Sequence, residues 1–188
     1  MTTRKLVLHP DRLLPADPVT RGIARELYGA VRDLPIISPH GHTDPAWFAS
    51  NANFGNASEL LLVPDHYVFR MLYSQGVPLS ALGVGNPDAD PRAAWRLFAQ
   101  RYHLFRGTPS RMWLDWVFAE AFGISIQLCA ETSDTYYDTI TAALATAEFR
   151  PRALFERFNI EVIATTEGPL DTLEHHAEIR SSGWKGRV

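Results

Sequence analysis

Apolar and polar positions along the chain predict two strands that lie far apart in the sequence, each associated with a helix. A β-branched run over 35–39 follows an amphipathic helix over 17–33 and predicts the first strand. The apolar run over 159–166 predicts the second strand, and a helix over 170–182 follows it. Strands joined through helices pair in parallel by crossover connections, so the sequence predicts an α/β fold with a parallel sheet.

The segment between the two strands is predicted to be almost entirely helical. A capping side chain directly before a proline marks helix starts at Asp44-Pro45, Asp90-Pro91 and Thr108-Pro109. The block is too long for an ordinary strand-to-strand connection and is interpreted as an insertion. The predicted domains are an N-terminal arm, helix and strand (1–43), the helical insertion (44–158), and a second strand, helix and start of a third strand (159–188).

Aromatic residues within the insertion recur at helical spacing, which favours a buried core over a platform for nucleotides or sugars. They are Trp95, Phe98, Trp113, Trp116, Phe118 and Phe122.

Composition and charge exclude several classes of protein. The chain has a formal net charge of -3 and is 46% hydrophobic, so no basic surface supports binding to nucleic acid or membranes. The N-terminus lacks the apolar run of a signal peptide, and no segment approaches the roughly 20 apolar residues that span a bilayer. The single cysteine, Cys129, excludes an internal disulfide and suits the cytoplasm, where we expect the protein to be located.

Two histidines directly after the first predicted strand are candidate metal ligands. His40 and His42 are two positions apart, so in an extended segment both imidazoles project to the same side. Gly41 between them has no Cβ and lets a ligand or neighbouring backbone approach. Imidazole binds Zn²⁺, Fe²⁺ or Mn²⁺, but catalytic zinc takes three protein ligands, so a further ligand must come from elsewhere. The alternative is an ordinary polar loop.

A second group of reactive side chains lies at the start of a predicted helix over 65–75. His66 is a proton carrier, Tyr67 a phenol and Arg70 a fixed cation, next to the N–H groups of a helix start. This set suits an anionic, hydroxyl-rich substrate that undergoes proton transfer, with Arg70 binding the substrate. A capped helix with a buried tyrosine and a solvated arginine is the alternative.

Two segments near the C-terminus carry further polar side chains. Thr165-Thr166-Glu167 follows the second predicted strand, where Thr166 could contact substrate or the segment could cap the next helix. Glu174-His175-His176-Ala177-Glu178 lacks the spacing of His-Glu-x-x-His, because only residues three or four apart converge on a helix. We interpret it as a solvated helix face.

Four motifs, in this order, resemble the N-terminal part of uronate isomerases (glucuronate isomerases), members of the amidohydrolase superfamily. The resemblance covers essentially the whole chain and implies a (β/α)8 TIM-type barrel with a large helical insertion after strand 1; this chain would hold the first two to three strands. The motifs are Ile36-Ile37-Ser38-Pro39-His40-Gly41-His42, Asp65-His66-Tyr67-x-x-Arg70, Thr165-Thr166-Glu167-Gly168-Pro169 and Leu173-Glu174-His175-His176-Ala177.

The resemblance also implies an activity and assigns residues to it. The family interconverts D-glucuronate with D-fructuronate and D-galacturonate with D-tagaturonate, as aldose–ketose isomerases. His40 and His42 match the metal pair on strand 1, for which zinc is the expected ion. His66 and Tyr67 match the catalytic pair, for which proton transfer between C2 and C1 through an enediol is proposed. The expected partner is therefore a small hexuronate.

This sequence departs from the family pattern in two ways. Many relatives read Thr-Asp-Asp-Pro where this chain has Thr166-Glu167-Gly168-Pro169, so a role for Glu167 does not follow from the resemblance. Family members are also more than twice as long, and their third metal ligand, an aspartate on the last strand, has no counterpart here. We therefore expect a truncated chain that binds metal weakly and does not turn over uronates alone. The full-length protein could form a homo-oligomer.

Two other functions stay open at this point. The same scaffold could support a metal-dependent hydrolase, in which the metal activates water. The chain could also be a non-catalytic binding or assembly module that keeps the ancestral fold.

Overall fold

A computed structural model describes residues 4–188, and this part of the chain contains nine α-helices and two β-strands. The helices are α1 Pro18–Val31, α2 Pro45–Ser50, α3 Ala57–Leu61, α4 His66–Ser74, α5 Pro91–Arg101, α6 Pro109–Trp116, α7 Ser133–Leu144, α8 Pro151–Arg157 and α9 Glu174–Ser181. The strands are β1 Ile36–Ser38 and β2 Ile160–Ile163. Short 3-10 segments lie at Leu79–Leu82, Tyr102–Phe105 and Ala147–Phe149, and a π-helical turn at Val117–Ala121.

The two strands pair in parallel, as the sequence predicts. Ile36 lies opposite Ile160 and Ser38 opposite Ile163. Arg187 forms a further parallel bridge to Val162. The backbone N–H of Ile163 donates to the carbonyl of Arg187 at 2.9 Å. The fold is therefore α/β, with a small two-stranded parallel sheet and mostly helices.

The predicted helix starts before proline are confirmed, and each has a side-chain cap. Asp44, Asp90 and Thr108 accept hydrogen bonds from backbone N–H groups of α2, α5 and α6 at 2.9, 2.9 and 3.2 Å. Each cap satisfies a donor that the helix cannot pair internally, and the following proline has no N–H to satisfy.

The backbone contacts divide the chain into two compact units. The helical unit comprises Phe54–Ala145 with the N-terminal segment up to Pro10, and the strand unit comprises Asp11–Asn53 with Thr146–Val188. The strand unit therefore includes α2 and α8, which the predicted domain boundaries place in the helical insertion.

The core of the helical unit is aromatic. Trp95, Phe98 and Phe118 are fully buried, which confirms their predicted role in the core. Trp113 and Trp116 are 48% and 37% exposed, so the same prediction is wrong for them. The helical spacing identifies neighbouring positions on a helix, but both tryptophans of α6 stay partly exposed to solvent.

The strand unit has a small hydrophobic core beside its sheet. Phe48 of α2 and Phe155 of α8 meet edge to face, with ring centroids 6.0 Å apart, and Trp184 stacks on Phe48 at 5.7 Å. Arg152 donates from its guanidinium to the carbonyls of Phe48 and Ala49 at 2.8 and 3.1 Å. These contacts fix α2 and α8 against each other beside β2.

Helix α1 forms as predicted, but its apolar side is uncovered. No residue of α1 is buried, and the neighbouring strand residues Ile36 and Ile37 are 49% and 62% exposed. The uncovered side chains of α1 are Val19, Ile23, Leu27, Tyr28 and Val31, each more than half exposed.

Among residues 4–188, none of the helices is long and apolar enough to cross a lipid bilayer.

The last helix starts later than predicted. A tight turn precedes it, in which Gly168 donates its backbone N–H to the Asp171 carboxylate at 2.6 Å. Leu173 then adopts a left-handed conformation with φ of 55°, which is incompatible with a continuous helix from residue 170. Helix α9 therefore begins at Glu174.

Candidate functional site

The two candidate metal ligands lie together just beyond the end of β1. The imidazole rings of His40 and His42 have centroids 4.9 Å apart and stand nearly perpendicular, at 89°. Both side chains are exposed, and α2 begins three residues after His42. A short strand followed by a capped helix thus fixes the backbone on both sides of the pair.

The loop that carries the histidines is held to the segment after β2. A Cβ placed on Gly41 would lie 3.2 Å from the carbonyl oxygen of Ala164, so the absence of a side chain allows this close approach. The Thr166 hydroxyl donates to the Gly41 carbonyl at 2.7 Å, and Ala164 donates its N–H to Ser38 at 2.8 Å. Thr166 is predicted to bind substrate, but in this structure its hydroxyl proton is donated to the Gly41 carbonyl.

We expect Thr166→Val to destabilise the strand unit by about 1 kcal/mol, because it removes one intramolecular hydrogen bond while keeping the side-chain volume. Urea denaturation followed by circular dichroism measures this change. Thr166→Ser keeps the hydroxyl and serves as the control, with a smaller loss. Equal destabilisation by valine and serine would show that the Gly41 bond does not hold the loop.

A cleft of about 530 Å³ opens within the strand unit beside His42. Its polar lining includes Asp44, Thr166, Glu167, His175 and His176, which come from the segments after both strands and from α9. The carboxyl ends of parallel strands meet at one edge of a sheet, which explains why these segments converge.

His176 is not part of a solvated helix face, so that interpretation is wrong for this residue. Its Nε2 lies 2.9 Å from the Thr165 hydroxyl and 3.7 Å from a Glu167 carboxylate oxygen. The His176 and Glu167 side chains are only 18% and 22% exposed. Because α9 starts at Glu174, His176 lies in its first turn and points back to the segment after β2.

The alternative that residues 165–167 cap this helix is also excluded, because α9 begins seven residues after Glu167.

The residues present fit part of a metal site. Two imidazoles whose rings adjoin are suitable ligands for Zn²⁺. Within the described part of the chain, however, no three His, Cys, Asp or Glu side chains are grouped so that they could hold a metal ion. Catalytic zinc takes three protein ligands, so His40 and His42 alone could form only part of such a site.

The second predicted group lies at the start of α4, in the helical unit. The rings of His66 and Tyr67 are in contact, with centroids 4.2 Å apart, and Tyr67 is 68% exposed rather than buried. Asp65 accepts from the backbone N–H groups of Tyr67 and Val68 at 2.9 and 3.2 Å. Two of the N–H groups expected to bind an anion, those of Tyr67 and Val68, are therefore already used by this cap. Arg70 is the exposed cation of the group.

Comparison with known proteins identifies similarity over nearly the whole chain. A family model described as glucuronate isomerase matches residues 18–185. A uronate isomerase from Sphingopyxis alaskensis is 72% identical over 98% of this chain, and one from Rhizorhabdus wittichii is 68% identical over all of it. The chain spans about 40% of the length of each of these relatives.

Solved structures are also similar to this one. The crystal structure of glucuronate isomerase from Caulobacter crescentus superposes with a TM-score of 0.95 at 63% identity, over 98% of this chain and 40% of that one. The crystal structure of uronate isomerase from Thermotoga maritima gives a TM-score of 0.83 at 26% identity, over 96% of this chain and 38% of that one.

Proposed function

Because the chain belongs to the glucuronate isomerase family, we propose that it forms the N-terminal part of an aldose–ketose isomerase that acts on hexuronates. The substrates would be D-glucuronate and D-fructuronate, and D-galacturonate and D-tagaturonate. The observation that carries the proposal is the adjoining pair of His40 and His42 rings at the end of β1, in a chain that matches the family model over residues 18–185. We place the enzyme in the cytoplasm, in agreement with its single cysteine.

We further propose that β1 and β2 are the first two strands of a (β/α)8 barrel. Parallel pairing and the bridge from Val162 to Arg187 agree with consecutive barrel strands. The uncovered apolar side of α1 and the exposure of Ile37 agree with a surface that further strands and helices would bury. The chain alone would then leave an open sheet edge.

The proposed chemistry is proton transfer next to a carbonyl group. His66 and Tyr67 would carry the proton between C2 and C1 of the sugar, and their ring contact holds the two groups side by side. Arg70 would bind the uronate carboxylate, for which a guanidinium fork is well suited. His40 and His42 would hold a divalent metal, with zinc the expected ion, which when bound attracts substrate oxygens as a Lewis acid.

The test uses a chimera in which this chain replaces the matching N-terminal 40% of the glucuronate isomerase from Caulobacter crescentus. We expect the chimera to convert glucuronate, and His40→Ala to reduce both its zinc content and its kcat by at least about tenfold, because one metal ligand is lost. His103→Ala, which removes an exposed histidine that does not line the cleft beside His42, is the control.

Two outcomes would contradict the proposed function. A folded chimera that does not convert glucuronate but hydrolyses ester or amide substrates would favour the metal-dependent hydrolase. A folded chimera in which His40→Ala changes neither zinc content nor turnover would remove His40 from the metal site.

A further inference from the structure

A second cleft, of about 610 Å³, lies within the helical unit and is rich in cationic and amide side chains. Its volume falls in the range of about 300 to 1,000 Å³ that is typical of small-molecule sites. The cleft has an apolar floor of Ala99 and Leu128. The polar groups around it are Arg4, Gln100, His103, Arg106, Arg111 and Gln127.

Backbone pairing brings the N-terminal segment to this cleft. Lys5 forms an antiparallel bridge with Ile126, and Gln127 donates its N–H to the Arg4 carbonyl at 2.8 Å. Leu6 in turn donates to Ser125 at 2.8 Å. These bonds place Arg4 beside residues more than 120 positions later, so no local sequence pattern predicts the cleft.

The three arginines of the cleft differ in what they contact. Arg111 is held in place: its Nε donates to Asp115 at 2.8 Å, and its guanidinium lies 3.9 Å from the centre of the Tyr102 ring. Arg4 and Arg106 make no ion pair with any residue that the structure describes, and both are exposed. The cleft thus has one fixed guanidinium and two that are available to a ligand.

We propose that this cleft binds a small oxyanion, either a phosphate or a carboxylate group carried by a metabolite. Asp115 balances the charge of Arg111, so the guanidinium groups of Arg4 and Arg106 face the single lining carboxylate of Glu131. The cleft therefore has an excess of positive charge on a chain whose net charge is -3. Guanidinium groups donate paired hydrogen bonds that fit both kinds of oxyanion. The amides of Gln100 and Gln127 supply further donors. The site lies outside the strand unit and does not depend on the proposed isomerase function.

Isothermal titration of the 188-residue chain with inorganic phosphate, and separately with acetate, tests this proposal at constant ionic strength. We expect saturable binding of at least one of the two anions, and the tighter one identifies the class of ligand. Arg106→Gln and Arg4→Gln should each weaken that binding about tenfold, because each removes charge-assisted hydrogen bonds. Glu131→Gln should strengthen it, because it removes the opposing charge.

Arg180→Gln is the matched control, since Arg180 is also exposed and does not line the cleft. It removes the same charge and should leave anion affinity unchanged. The proposal is overturned if neither anion binds saturably, or if Arg180→Gln weakens binding as much as Arg106→Gln does. Thermal denaturation of every variant verifies that the fold is intact, which is expected for exposed positions.

Discussion

Tyr67→Phe in the chimeric enzyme is expected to lower kcat for glucuronate by about 100-fold to 10,000-fold. The substitution removes only a hydroxyl group, and proton transfer by a positioned side chain contributes this range to enzymatic rates. Because Tyr67 is 68% exposed in this chain, we expect no loss of stability. Steady-state kinetics at saturating glucuronate measures the effect.

The matched control is Tyr73→Phe on the same helix. Tyr73 is 60% exposed, and its replacement should leave kcat within about twofold, as expected for a surface position away from the chemistry. If Tyr67→Phe also retained full turnover in a folded chimera, the phenol would not take part in proton transfer. The proposed role would then rest on His66 alone.

Trp95→Ala is expected to lower the free energy of unfolding by about 3 to 5 kcal/mol. Trp95 is fully buried, and its indole N–H donates to the Ser133 carbonyl at 3.1 Å. Its ring contacts Phe98 and Phe118 edge to face, with centroids 5.2 and 6.2 Å away. Truncation would leave a cavity among these rings and remove the indole hydrogen bond, a loss that is a large fraction of the stability of a typical domain.

Urea denaturation monitored by far-ultraviolet circular dichroism measures this loss, because the signal does not depend on the removed indole. Trp113→Ala is the control: the same side chain is deleted from a position that is 48% exposed, and the cost should be about 1 kcal/mol or less. Equal losses for the two variants would contradict the assignment of the core of the helical unit to Trp95 and its neighbours.

The sequence predicts the elements that local chemistry determines. Helix starts at Asp44, Asp90 and Thr108 are predictable because a capping oxygen and a following proline act within one turn. Parallel pairing of β1 with β2 follows from their helical connection, and the adjoining rings of His40 and His42 follow from their spacing just beyond a strand.

Features that depend on tertiary contacts are not predictable in this way. The sequence alone suggests that His176 is a surface histidine. In the structure, Leu173 and the turn at Gly168 determine where α9 begins. The His176 ring therefore contacts Thr165 and Glu167. Asp65 likewise accepts hydrogen bonds from two backbone N–H groups at the start of α4, so these donors are not available to an anion.

Glucuronate conversion by the isolated 188-residue chain, measured beside the chimera in the presence of zinc, tests the central claim most directly. The proposal is that this chain supplies the two histidines of the metal pair and the His66–Tyr67 pair, while the remaining metal ligand lies elsewhere in a full-length enzyme. It predicts turnover by the chimera and none by the isolated chain. A rate for the isolated chain close to that of the full-length relative would contradict it.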